Sequence, residues 1–383
     1  MPAKFKKLQK FRRKLHAHPE VSGKEFKTAR RIVKFLKACK PTQLETGVGG
    51  NGIIAIWDSG NTGKSLVFRA ELDALPISEI NESDYASKNK GVSHKCGHDG
   101  HSTILCGMAE YLGHHHPEKG KIVLIFQAAE EDGTGAALMM NDKRFQELTP
   151  DYIFALHNLP GYPLGEVVVK DLNFTASVNS MIIELNGKTA HAAEPENGVN
   201  PALAIAEILQ VCQALQNNEL EKTEMVVITL VHIKMGSPAY GVSAGSAEIH
   251  LTIRSWNDEF LRELEKKIET LATQVASEHQ LSLNIRYTET FYANINDPEP
   301  TSYVRLVAAS EGFSITERQF PFKWGEDFGV FGTHFKACMF GLGAGENTPA
   351  LHNPDYDFPD ELIKDGLKIF KGLIKYISEE IPA

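Results

Sequence analysis

Apolar runs that end in ligand-type side chains constrain this chain more than any other feature of its sequence. Residues 65–70, S-L-V-F-R-A, lead into Glu71 and Asp73. Residues 121–126, K-I-V-L-I-F, are followed at once by Q-A-A-E-E, which delivers Glu130 and Glu131. Residues 151–156, D-Y-I-F-A-L, run into His157, and the apolar stretch 337–343 precedes His352. Runs of this kind suit strands buried on both faces. In an open parallel sheet, chemistry gathers beyond the carboxyl ends of the strands. A random surface would not repeat the pattern, so the expected fold class is α/β, with a mostly parallel sheet carrying the site.

The densest cluster is 93–101, S-H-K-C-G-H-D-G-H, with three imidazoles, a thiol and a carboxylate. Cys96 and His98 are two apart, so a locally extended chain points both side chains to one side. Gly97 and Gly100 let the backbone bend closely. A thiolate beside an imidazole suits zinc. The competing reading is a His-rich polar loop. Collected with the strand-end groups, the candidate ligands are Cys96, His98, Glu131, His157 and His352. These exceed the needs of one closed tetrahedral ion and suit two divalent ions bridged by Cys96. Zinc is favoured by thiolate and imidazole, with manganese possible because carboxylate is present. Glu130, adjacent to a ligand, fits a general base. Asp73 fits a carboxylate that orients a ligating histidine, or more simply a cap.

The chain has 383 residues, more than one typical core, so two domains are expected. A formal net charge of −9 argues against nucleic acid as a partner. The basic run 4–14 carries Phe5, Leu8 and Phe11 at helical spacing and reads as a helix with an apolar face. The first residues do not read as a secretion signal, and no apolar run is long enough to cross a bilayer, so no membrane partner is expected. Five cysteines in a chain this long do not suggest a disulfide scaffold. Cys39, Cys106, Cys212 and Cys338 read as buried small side chains, and a reducing cytoplasm would keep Cys96 available. His18 reads as structural or solvent-facing, and His114 to His116 as a solvated helix end.

From Ser177 the texture changes to alternating strands and amphipathic helices in the order strand–helix–strand–strand–helix–strand. That order fits a small two-layer α/β domain inserted into the first. The expected division is 1–174 and 289–383 for the catalytic domain and 175–288 for the insert. On residues alone, His191 and Arg254 in the insert read as structural or solvated.

The chain resembles the zinc-dependent aminoacylase and carboxypeptidase family, in its amidohydrolase branch. The resemblance covers nearly the whole length. It is carried by R-R-K-L-H-A-H-P-E from Arg12, F-R-A-E-L-D-A-L-P from Phe68, C-G-H-D-G-H from Cys96 and Q-A-A-E-E from Gln127. It continues in A-L-H-N-L-P from Ala155, G-K-T-A-H-A-A-E-P from Gly187, G-E-D-F from Gly325 and L-H-N-P from Leu351. It implies a bridging Cys96, ligands His98, Glu131, His157 and His352, and Glu130 as base and then acid. His191 matches the histidine of an inserted lid and dimerisation domain that contacts substrate, often across a homodimer. Arg254 is a candidate clamp for a substrate carboxylate, favoured by its planar fork. The implied substrate is a small N-acyl amino acid, cut at its amide. The chain departs from the branch at Lys95, where a small residue is usual, and at Thr189 and Ala190, where a second glycine is common. It departs again at Gly241, Val242, Ser243 and Ala244, in place of N-V-I-P.

Other functions fit less well. A dipeptidase with the same metals needs a carboxylate for the substrate amine, and none is assigned. A relict scaffold predicts missing ligands or base, and none is missing. A dinucleotide loop should follow a strand, whereas G-V-G-G-N-G at Gly47 precedes one.

Overall fold

The computed structural model describes residues 2–216 and 225–380. The chain forms two compact units, one of Met1–Phe174, Asn294–Gln319 and Glu326–Ala383, the other of Thr175–Ala293 and Phe320–Gly325.

The large unit is built on an eight-stranded sheet. Its spatial order is Gln43–Val48, Gly52–Asp58, Lys121–Gln127, Ser65–Glu71, Tyr152–Leu159, Lys336–Gly343, Val167–Val169 and Ile315–Glu317. The four strands from Lys121–Gln127 to Lys336–Gly343 run parallel. Ser65–Glu71 and Tyr152–Leu159 are buried along their whole length, which is why they read as apolar runs rather than as alternation. Phe68 and Phe154 stack across neighbouring strands at 5.7 Å, and Phe370 of the helix Leu362–Glu380 meets Phe68 at 4.9 Å. The helix His98–Leu112 packs on that last helix through glycines: a Cβ on Gly107 would meet Leu367 at 2.8 Å, and one on Gly366 would meet Ile104 at 2.7 Å. Among the described residues, no helix is long and apolar enough to cross a membrane.

One edge of the sheet carries no sequence signal of its own. Gln43–Val48 is an edge strand whose polar, half-exposed residues gave no apolar signal. The helix Pro298–Ser310 starts on a proline, which a first turn tolerates, and Asp297 accepts the Glu299 N–H at its start.

The small unit is an antiparallel sheet in the order Val227–Met235, Ser246–Ser255, Ser177–Asn186, Ser282–Phe291. Alternate residues Ile249, Leu251 and Ile253 point to the core shared with the helices Ala202–Leu215 and Asp258–Glu278. The last strand runs to Phe291. The outer strand Val227–Met235 exposes Leu230, Val231, Ile233 and Met235.

Under the large sheet's carboxyl edge lies a buried ionic network. Arg12 donates to Asp360 (2.9 Å), Asp357 (2.6 Å) and Asp99 (3.3 Å). The ring nitrogens of His16 lie 2.9 Å from Asp99 and 3.0 Å from Glu79, so both nitrogens donate to carboxylates. Burial disfavours the imidazolium, but the bonds to Asp99 and Glu79 outweigh it and raise His16 from 6.5 to about 9. A raised histidine stabilises the fold fully below its unfolded pKa and loses that contribution as pH climbs through the folded value. The large unit should therefore lose on the order of 3 kcal/mol between about pH 6.5 and 9. Denaturant titrations across that window should show the slope, and His16→Gln should flatten it.

Candidate metal centre

Cys96 and His98 do not lie on an extended segment as expected. Gly97 between them has φ 99°, a conformation open to glycine. A Cβ there would also meet Asn158 Oδ1 at 2.3 Å. The turn delivers Cys96 just ahead of the helix His98–Leu112 and makes His98 its first residue. Gly100 lies inside that helix, where a Cβ would meet the Phe358 ring at 2.5 Å, so its use is close packing rather than a bend. Glu130 and Glu131 follow the strand Lys121–Gln127, and His157 lies within Tyr152–Leu159. His352 follows the neighbouring strand Lys336–Gly343.

These groups converge. Ligand atoms of Cys96, His98 and His157 lie within 4.8 Å of one another, as do those of Cys96, Glu131 and His352. Cys96 belongs to both sets. Cys96 Sγ is 3.5 Å from His157 Nε2, His98 Nε2 is 3.9 Å from Glu131 Oε1, and His352 Nε2 is 3.7 Å from Glu131 Oε2. Glu130 Oε2 lies 3.7 Å from His98 Nε2.

The surroundings orient the donors. His98 Nδ1 donates to the Asp73 carbonyl at 3.0 Å and lies 3.3 Å from Asp73 Oδ1, which leaves Nε2 facing the cluster. His157 Nδ1 donates to the Asn158 carbonyl at 2.9 Å, again leaving Nε2 inward. Asp73 Oδ2 also accepts from Ser22 Oγ and from the Glu131 N–H. Asp73 thus touches two candidate ligands and caps neither a helix nor a simple turn.

A cation fits this donor set. His98 Nε2 and Glu131 Oε1 are buried and make no hydrogen bond within the protein. Buried polar atoms are rarely left so. Burial, then the charges of Glu131 and Glu130, push the Cys96 thiol well up. Burial, then Glu326, Glu131 and Asp327, push the Glu130 carboxyl well up. Glu131 is raised to about 8, mainly by burial. His98 is raised to about 10, because its bond to Asp73 and the charges of Glu71 and Glu131 outweigh burial. Excess negative potential is common to all four shifts. Protons relieve it, and divalent cations relieve it better.

The sequence reading named Glu71 only as a strand-end carboxylate and missed the charged tier around it. Arg69, fully buried, pairs with Glu71, with Glu326 at 3.0 Å and with Asp327 at 2.6 Å. Glu71 Oε2 is 2.6 Å from His101 Nδ1, and His101 Nε2 bonds Asn158. Ligand atoms of Glu71, His98 and His101, and of Glu130, Glu326 and Asp327, also lie within 4.8 Å. Arg69 neutralises much of both sets, and both nitrogens of His101 are engaged, so neither is as open to a cation as the Cys96 groups. The signal was available: Arg69, Glu71 and Asp73 alternate along one strand and its extension, so they share a face.

His191 and Arg254 belong to the small unit. His191 is exposed on the short strand Ala190–His191, and its Nδ1 accepts the Ala193 N–H at 3.0 Å. Arg254 Nη1 donates to the Lys323 carbonyl at 3.0 Å.

A profile of Peptidase family M20/M25/M40 matches residues 67–376. Hippurate hydrolase of Campylobacter jejuni is 29% identical over 374 residues, 97% of this chain and 96% of that protein. N-acetyl-L-cysteine deacetylase of Bacillus subtilis is 31% identical over 363 residues, 94% of this chain and 85% of that protein. The crystal structure of a dinuclear metal-binding M20 peptidase from Bacillus subtilis superposes with a TM-score of 0.83 at 26% identity, covering 100% of both chains. A profile match across most of the length, joined to likeness in sequence and fold from end to end, makes this chain a member of peptidase family M20/M25/M40.

Proposed function

We propose that this protein is a metal-dependent amidohydrolase that cleaves the amide of small N-acyl amino acids, releasing a carboxylate and a free amino acid. The observation that carries the reading is the buried Glu130 carboxyl beside two donor sets that share Cys96. Its relatives support the substrate class, because hippurate and N-acetyl-L-cysteine are both N-acyl amino acids.

Cys96, His98, Glu131, His157 and His352 would hold two divalent ions, Cys96 being common to both donor sets. Zinc is favoured by the thiol and imidazoles. When bound, the ions would acidify water and offset charge developing on the substrate carbonyl. Glu130 takes a proton from the attacking water and passes it to the nitrogen of the breaking amide. Its raised pKa suits a group that must hold that proton between the two steps. Asp73 keeps His98 in the tautomer that presents Nε2. His191 would donate to the developing oxyanion, and Arg254 would hold the substrate carboxylate. We read the protein as a homodimer formed through the small unit. The apolar outer strand Val227–Met235 supports this, since such an edge invites pairing with another chain. The five free thiols suit a reducing cytoplasm.

Metal content, substrate preference and two sets of variants check the reading. Protein purified without chelator should carry close to two divalent ions per chain and release amine faster from N-acetyl or N-benzoyl amino acids than from matched dipeptides. Glu130→Gln should keep both ions and lose turnover by about 10²–10⁴-fold. Near-normal turnover in that variant would remove Glu130 from the role. Mixing His191→Ala chains with Glu130→Gln chains should restore activity once subunit exchange is confirmed, because each mixed dimer rebuilds one complete site. Exchange without recovery would place His191 and Glu130 of the same chain at one site.

A further inference from the structure

Lys95 is fully buried, and its hydrogen bonds lead to other segments around the metal centre. Its Nζ donates to Glu79 Oε1 at 2.8 Å and to the Tyr356 carbonyl at 2.8 Å. Its own carbonyl accepts the His352 N–H at 2.8 Å. The next residue along the chain is Cys96. One residue thus fastens both ends of 352–356, the stretch that begins with His352, to the residue preceding the shared thiol.

That stretch needs fastening. It belongs to no helix or strand. His352 has φ 66°, a left-handed conformation that a side chain with a Cβ adopts only where its surroundings enforce it. Its side chain is 52% exposed, so burial does not fix it. Other bonds act at a remove: the Ile80 N–H donates to the Pro354 carbonyl, and Asn158 Nδ2 donates to the Tyr356 hydroxyl. At the His352 backbone itself, the N–H is tied directly to the Lys95 carbonyl. The ammonium can be buried because Glu79 answers its charge. Glu79 is held in turn by His16 at 3.0 Å and by the Ser87 N–H at 2.6 Å. In contrast, His98 sits on a helix and His157 within a central strand.

We propose that Lys95 is a positioning residue for one half of the metal centre: it fixes His352 relative to Cys96, and so sets the affinity of the ion held by Cys96, Glu131 and His352. The proposal rests on the dinuclear reading above. It predicts that the two ions respond unequally to loss of the ammonium, which a general loss of stability would not produce.

The test compares metal-loaded wild type and Lys95→Met. Each is challenged with increasing chelator while retained zinc is measured, and each is loaded with cobalt for its visible absorption. Wild type should release two ions per chain. Lys95→Met should release one ion at the wild-type chelator concentration and the other at a concentration at least tenfold lower. Its cobalt spectrum should change only for the weaker equivalent. Two ions at wild-type affinity, or both weakened to the same degree, would overturn the proposal. If Lys95→Met does not fold, Glu79→Gln carries the test, because it removes the answering charge and keeps the size. The same selective weakening is expected there, and unchanged release of both ions would overturn the proposal. A wild-type chain that saturates at one ion overturns the dinuclear reading and this proposal with it.

Discussion

Two buried guanidiniums allow so many carboxylates to be gathered at one edge of the sheet. Arg69 answers Glu71, Glu326 and Asp327, and Arg12 answers Asp99, Asp357 and Asp360. Isolated buried carboxylates would take up protons or force the structure open. With these two groups in place, the walls of the site are largely neutralised by the chain's own cations. Asp73, Glu130 and Glu131 are the exceptions, since within the described residues their ion-pair partners are histidines. The fold thus divides its acids into those it neutralises for itself and those left to attract charge from outside.

That division explains which residues were legible in the sequence. Parallel strands buried on both faces announce themselves as apolar runs, and a polar residue just beyond such a run is conspicuous. Cys96, His98, Glu130, Glu131, His157 and His352 all stand beside runs or in the Cys/His cluster, so they are legible from the sequence alone. Arg69 was not legible as a partner, because it sits inside an apolar run and meets Asp327 258 residues away. Lys95 stood out only as an oddity of sequence, since its use depends on a carbonyl 261 residues distant. Contacts of that separation leave no periodicity to read.

Local geometry was misread where glycine intervened. Two residues apart suggested an extended pair at Cys96 and His98, but a left-handed Gly97 turns the chain into the helix between them. The edge strand Gln43–Val48 was missed for the opposite reason, since a half-exposed edge carries no apolar stripe. The segment Phe320–Gly325, which clusters with the small unit, is too short to show a texture of its own.

The order of strands in the large sheet has a consequence for how the protein is made. Lys336–Gly343 inserts between Tyr152–Leu159 and Val167–Val169, pairing with both. The ribosome completes it only after the whole of 175–293 has been synthesised. Until then, the strand bearing His157 lacks its neighbour on one side, and His352 does not yet exist. The emerging chain can hold at most a partial set of donors, with an unpaired edge exposed where the sheet will close. Acquisition of a full complement of ions is thereby deferred until His352 has emerged, and the interval before it is the period in which a chaperone would matter most.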